Sequence, residues 1–315
     1  MKGFLDLVVC GPDMSGTGTQ ITDIAKYFIS KGYRVRDIRG TETDALFHAE
    51  EFQGQLPTSL KNLTHLRELP HSSEIYQRFL FYAHQKLSGG GTNEDLQVAS
   101  MIKNSVSTFV NPESADVWIM EEPTKRGAGQ ICRATEQNRS QYHDRMNGKA
   151  AAEAHSIYRT DEFLRFRRVL RQKGRIIIRS RSEESACYQI KDKDILPNGV
   201  PLDDYLNLEG HKIAFANPPG YIFVVCGPAN WTEQDYLKLK EERSGGRFLD
   251  DHELNVAYQL LVNNRYATDW ISRLYEKGCE RHNLKVPQIT RFGINGSKEE
   301  IKKQMAHELE RILAH

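Results

Sequence analysis

The sequence predicts an α/β fold, a parallel sheet of about five strands with helices on both faces and a mainly helical insertion. Three observations lead there. Phe4–Cys10 (FLDLVVC) is a short β-branched run ending at Gly-Pro, the pattern of a buried strand. The glycine-rich stretch GPDMSGTGTQ follows. Apolar residues then recur at helical spacing in Ile21, Ile24, Ala25, Phe28 and Ile29, with Gly32 as C-cap. Tyr33–Ile38 reads as a second strand. Strand, glycine-rich turn, helix and strand make a βαβ unit, whose two strands run parallel.

Beyond the second strand the character changes. The block 41–116 is too long for an ordinary connection. Helices are expected over Ser73–Leu87 and Asn93–Val110, with glycines at 89–91 as a hinge. Ile75, Phe79, Leu80, Tyr82 and Ala83 offer one apolar face, and Val98, Ile102, Val106 and Phe109 another. The block reads as an insertion that shapes a substrate site or a dimer interface, with a homodimer as the candidate assembly. Val117–Met120 is a further strand and runs into EEPTKRGAG. A helix is expected over Ala150–Gln172, then a strand at Arg175–Ile178. Residues 191–220 are loop-rich, and Tyr221–Cys226 (YIFVVC) is another strand. Helices at about 232–242, 250–276 and 298–313 and a short strand near 288–292 complete the chain. VVCGP occurs at 8–12 and again at 224–228, as two strands that leave the sheet through Gly-Pro.

Composition excludes several function classes. The 315 residues allow one large or two small domains. Forty-three Lys and Arg face 42 Asp and Glu, a net charge of +1, which argues against a nucleic-acid coat. Cys10, Cys132, Cys187, Cys226 and Cys279 are scattered and odd in number, so neither a disulfide framework nor a zinc ribbon is expected. There is no secretory leader pattern and no long apolar run, so the expectation is a cytoplasmic chain without a membrane partner. Arginines crowd at 165–181, read as a solvated helix face followed by substrate arginines at a strand end. Cys187 reads as packing rather than as a nucleophile. His48, His65, His71 and His84 read as surface residues rather than metal ligands.

Gly11-Pro12-Asp13-Met14-Ser15-Gly16-Thr17-Gly18-Thr19 has the glycine spacing of a phosphate-binding G-x-x-x-x-G-K-[ST] loop. It also has the right setting, between a buried strand and a helix. In such loops backbone N–H groups wrap a phosphate and the helix N-terminus adds its dipole. Gly11, Ser15, Gly16, Thr17, Gly18 and Thr19 are the candidate phosphate-binding residues. Thr17 stands where the lysine should be.

At these residues the chain resembles the thymidylate kinases, a branch of the P-loop nucleoside monophosphate kinases. GPDMSGTGTQ is similar to that family's G-x-D-G-S-G-K-[ST]-T-Q. EEPTKRGAGQICR (121–133) resembles its R-E-P segment, and HSIYRTDEF (155–163) its helix arginine motif. RIIIRSRSEESACYQ (175–189) resembles its D-R-Y-x-x-S-S-x-A-Y-Q strand and loop, and 237–253 its lid. The resemblance implies a P-loop fold of nucleotide-kinase type. It implies transfer of the ATP γ-phosphate to a nucleoside monophosphate, dTMP in that family, with Mg²⁺ and ATP as cofactors.

The same resemblance assigns roles. Asp13, Arg243 and Arg247 would be catalytic. Glu122, Arg159, Arg179, Arg181, Ser185 and Gln189 would bind the acceptor, and Thr19 and Glu122 would place Mg²⁺. Three family cations are missing from their slots: Thr17 replaces the loop lysine, Glu121 the arginine of R-E-P, and Arg179-Ser180 the Asp-Arg of D-R-Y. Arg179 and Arg181, Lys125-Arg126 or Arg39 could supply the lost charge. If none does, the chain is a catalytically impaired relative that binds a nucleotide or phosphorylated ligand as a sensor or partner-binding module.

Overall fold

The computed structural model describes residues 4–39, 112–124, 129, 132, 148–244, 251–294 and 297–314. Among these, the strands are β1 (Leu5–Cys10), β2 (Val35–Asp37), β3 (Val117–Glu121), β4 (Ile176–Ser180), β5 (Tyr221–Cys226) and β6 (Gln288–Gly293). They form one parallel sheet in the order β2-β3-β4-β1-β5-β6. The sheet therefore has six strands, not the five expected. The run near 288–292, read as short, pairs with β5 along its whole length, from Tyr221 opposite Gln288 to Cys226 opposite Gly293. Its polar Gln288, Thr290 and Arg291 mute the apolar signal of this edge strand.

Side-chain alternation divides the core between the two faces. Leu5, Leu7 and Val9 of β1 pack on one face with Ile21, Ile24 and Phe28 of α1 (Thr17–Ser30). Ile301, Met305 and Leu309 of α10 (Lys298–Leu313) join that face. Val8 and Cys10 point to the other face, towards Tyr258, Val262 and Tyr266 of α8 (Val256–Ala267). Ile271, Leu274 and Tyr275 of α9 (Trp270–Glu280) extend that second layer. Helices thus cover both faces, as the buried apolar strands require.

The long helix after β3 is α2 (Gly148–Glu162), a π-helical stretch (Phe163–Arg167) and α3 (Arg168–Gln172) in sequence. A short 3₁₀ segment (Glu183–Tyr188) follows β4, and α4 (Leu202–Asn207) and α5 (Glu209–Phe215) precede β5. Of the proposed lid, α6 (Glu233–Ser244) and α7 (Asp251–Leu254) are described; Arg247 lies outside the described residues. The two helices expected in the 41–116 insertion lie outside them as well. Residues 112–116 form a turn into β3. No described helix is long and apolar enough to cross a membrane.

Two connections fix where a ligand would go. The chain leaves β1 towards β2 on one side of the sheet and leaves β5 towards β6 on the other. The carboxyl ends of β1 and β5 therefore flank a topological switch point, the usual ligand crevice of open parallel sheets. Both VVCGP segments end there, side by side, with Cys10 opposite Val224.

Candidate functional site

The glycine-rich loop leaves β1 at this switch point and turns sharply into α1. Gly11 has no room for a side chain, since a Cβ would lie 2.1 Å from the Val225 carbonyl oxygen and 2.6 Å from Ser15 Oγ. Met14 and Gly16 both have positive φ, 63° and 86°, and Ser15 N–H closes a turn on the Pro12 carbonyl at 3.1 Å. Left-handed residues set among right-handed ones turn successive backbone N–H groups inward, the concavity that holds anions. Ser15 is buried, and its Oγ finds no hydrogen-bond partner.

The loop lacks more than its lysine. The hydroxyl that such a loop offers to Mg²⁺ belongs to the residue after the lysine position. That residue is Gly18; Thr19 lies one further on, in the first turn of α1, and is exposed. The metal-placing role expected of Thr19 therefore has no geometric basis. Glu122 is no better placed, because its carboxylate is held by Arg159. Among the described residues, no group of three His, Cys, Asp or Glu side chains could hold a metal ion.

Arginines and carboxylates tie the loop to its neighbours. Asp13 accepts from Arg181 and, at 2.9 Å, from Gln259 Nε2. Arg181 has positive φ (68°) and stacks on the Tyr188 ring at 4.8 Å. Gln259 of α8 was not foreseen, and no motif pointed to it. On the β5 side, Arg243 of α6 donates to the Met14 carbonyl at 2.7 Å.

One strand away, beyond β4, lies a small cleft of about 10 Å³ that is partly open to solvent. Glu121, Glu122, Arg159, Arg167, Arg179 and Arg181 line it. The cleft has room for about one water molecule, so a larger group would need the lining side chains to move.

Arg159 does not behave as a free ligand. It is buried, and it donates to Glu122, Tyr205 Oη (2.6 Å), His211 Nδ1 (2.7 Å) and the Ser182 carbonyl (2.9 Å). With Glu122 receiving from both Nε and Nη2, every N–H of the guanidinium is used. In this structure Arg159 lines the cleft and braces its wall. Burial, and then the Arg159 charge, hold His211 well below its ordinary value of 6.5. A neutral ring suits the bonds it makes, accepting at Nδ1 and donating from Nε2 to the Ala152 carbonyl at 3.2 Å.

Arg179 and Arg167 differ, because each keeps donors in reserve. Arg179 donates from Nε to Asp6 at 2.9 Å and from Nη1 to Ser182 Oγ, while its Nη2 has no partner. Arg167 reaches Asp6 and the Asn217 carbonyl, while its Nε has none. Arg171 also meets Asp6, at 3.1 Å. Of the arginines at 165–181, Arg168 is exposed as expected of a solvated face, but Arg167 and Arg179 are buried and Arg171 is half-buried. Three of them converge on Asp6, which is 1% exposed. Asp6 was legible as the one charge inside a buried strand, but not as their anchor.

Glu183 and Glu184 lie fully buried beside this cluster. Burial raises Glu183, but Arg179, Arg167 and Arg159 together outweigh it and hold the carboxyl far below its ordinary 4.5. Glu184 lacks such pairing. Burial, then Glu122 and Glu183, push it up to about 7, while its Oε1 accepts from Ser182 N–H at 2.7 Å.

Ser185 and Gln189 are buried, and neither Ser185 Oγ nor either end of the Gln189 amide has a partner. Cys187 packs in the core, and burial pushes its thiol up to about 12, in keeping with a packing role. No family model matches the chain, and no curated protein matches it.

Proposed function

We propose that the chain is a nucleotide kinase-like protein that takes ATP on the Gly11–Thr19 loop and a nucleoside monophosphate, dTMP as the first candidate, at the arginine cleft. One observation carries this reading. A strained, glycine-dependent loop heads α1 at the switch point, and the Asp13–Arg181 pair ties it to a cleft whose buried Arg179 and Arg167 have donors unfilled. A buried donor or acceptor left unpaired costs about 1–3 kcal/mol. A phosphate group in the cleft would satisfy the two arginines, and a base would satisfy Ser185 and Gln189.

In this reading the loop N–H groups hold the donor phosphates. Arg179 and Arg181 orient the acceptor phosphate, and Asp13 positions Arg181. Mg²⁺ would arrive with ATP and neutralise phosphate charge. Among the described residues no group of three His, Cys, Asp or Glu side chains could hold it, so its ligands would come from the nucleotide phosphates and water.

A second reading has its own support. Thr17 and Gly18 remove both the cation and the hydroxyl of a working loop, which favours a protein that binds a nucleotide without transferring phosphate. Calorimetric titration with MgATP and then dTMP, followed by a turnover assay, separates the two. Binding with formation of dTDP supports the kinase. Saturable binding with no turnover on any nucleoside monophosphate supports the binder, and no binding of either ligand removes both.

A further inference from the structure

Helix α8 sends polar side chains into the segments around the loop. Tyr258 Oη donates to the Tyr188 carbonyl at 2.8 Å. Asn263 accepts from Gly227 N–H at 2.9 Å and donates to the Pro228 carbonyl at 3.0 Å. Arg265 donates to the Cys187 and Ile190 carbonyls at 2.7 and 2.9 Å. Gln259, which is 1% exposed, is the member that reaches the loop, donating from Nε2 to Asp13 Oδ2 at 2.9 Å. One helix, capped by Asn255 through the Tyr258 N–H, thus supports the exit of β5, the 3₁₀ segment and the glycine-rich loop. The loop needs such support. Met14, next to Asp13, is a non-glycine residue at positive φ, a conformation that persists only where the surroundings hold it. The Asp13 carboxylate is where they take hold: Arg181 donates to one oxygen and Gln259 to the other. Beside it the Tyr188 hydroxyl stays neutral, because burial raises it well above its ordinary value of 10.

We propose that Gln259 is a positioning residue for the phosphate-binding loop: acting through Asp13, it holds the Pro12–Gly16 turn in the form whose N–H groups converge on a phosphate. Gln259 does not itself meet the ligand. Charge attraction to Arg181 tolerates a range of directions, whereas the amide hydrogen bond on the second oxygen is directional. It fixes the rotation of the carboxylate and, with it, the main chain at Asp13. This role rests on the reading of the loop as a phosphate site and goes beyond it by naming what keeps the turn formed before any ligand arrives. It also gives the loop and the 3₁₀ segment with Ser185 and Gln189 one common support, since α8 carries the contacts to both.

The test uses the full chain with inorganic tripolyphosphate as the probe, calorimetry for binding and thermal unfolding to confirm the folded state. Q259M keeps the volume and loses the donor. It should bind tripolyphosphate about tenfold more weakly than the unaltered chain, the effect of one hydrogen bond to a charged group. Q259E keeps the shape and makes the outcome depend on pH. At about pH 8 two carboxylates face each other, and affinity relative to the unaltered chain should fall further than in Q259M. At about pH 5.5 the pair shares a proton, which restores the donor, and most of the relative affinity should return. A residue that only fills space would give a Q259E deficit that does not change with pH. If the unaltered chain binds the probe and Q259M or Q259E binds it equally well at about pH 8, the role of Gln259 is overturned while the loop reading stands. A Q259E deficit that is the same at both pH values overturns it in the same way. If Q259M does not fold, the two pH values of Q259E decide alone. If the unaltered chain does not bind tripolyphosphate, the loop reading fails and takes the role of Gln259 with it.

Discussion

Glu184 makes the fold's stability depend on pH in an unusual direction. Its carboxyl is fully buried and pushed up to about 7, by burial first and then by Glu122 and Glu183. Between its ordinary value of 4.5 and about 7, the folded chain holds a proton there that the unfolded chain has released. Unfolding therefore sheds this proton, and stability falls as pH rises through that window. The full effect is on the order of 3 kcal/mol, at about 1.4 kcal/mol per pH unit. E184Q removes the ionisation while keeping an oxygen for the Ser182 N–H, which Glu184 meets at 2.7 Å.

Denaturant unfolding of both proteins from pH 5 to pH 8 is the assay. Near pH 5 the two should be nearly equal. By pH 8 the variant should be the more stable by about 1–3 kcal/mol, most of the shift above. Taking the difference matters because His211 acts in the opposite sense. Its folded value is depressed, so its contribution is present above about pH 6.5 and lost as pH falls. That contribution is common to both proteins and cancels. A difference that stays flat with pH, or that grows towards pH 5, would refute the reasoning.

Other predictions follow from single contacts. D6N leaves Arg167, Arg171 and Arg179 without their shared carboxylate and should destabilise by about 3–5 kcal/mol in chemical denaturation, as loss of one partner in a buried ion pair does. G11A forces a Cβ to within 2.1 Å of the Val225 carbonyl oxygen unless the loop moves. It should cost about 1–3 kcal/mol in thermal unfolding and abolish MgATP binding by calorimetry. S297A removes the capping box it forms with Glu300 at the start of α10 and should cost about 1 kcal/mol while leaving ligand binding unchanged.

The frame of this protein was readable because its signals are local. FLDLVVC and YIFVVC are β-branched runs, and the strands they predict lie next to one another inside the sheet. The glycines at 11 and 16 mark a turn that only small or left-handed residues can make, and the loop adopts it. What the sequence hid is what depends on distant partners. Asp6 gathers arginines more than 160 positions away, so the crowd at 165–181 looked like a surface. Arg159 matched a motif, yet its donors are consumed by α4, α5 and two loops that no spacing rule brings together. Arg243 was visible as a lid residue. Its contact with Met14 depends on how α6 docks, which is a tertiary event.

The central claim is that the loop and the arginine cleft act together on a phosphoryl group. Its most direct test is a discontinuous assay in which the full chain is incubated with MgATP and dTMP and the nucleotides are separated by chromatography. The account predicts dTDP and ADP in equal amounts, in a reaction that G11A eliminates. ATP consumption without dTDP, or no product from dTMP or any other nucleoside monophosphate at high protein concentration, would contradict it.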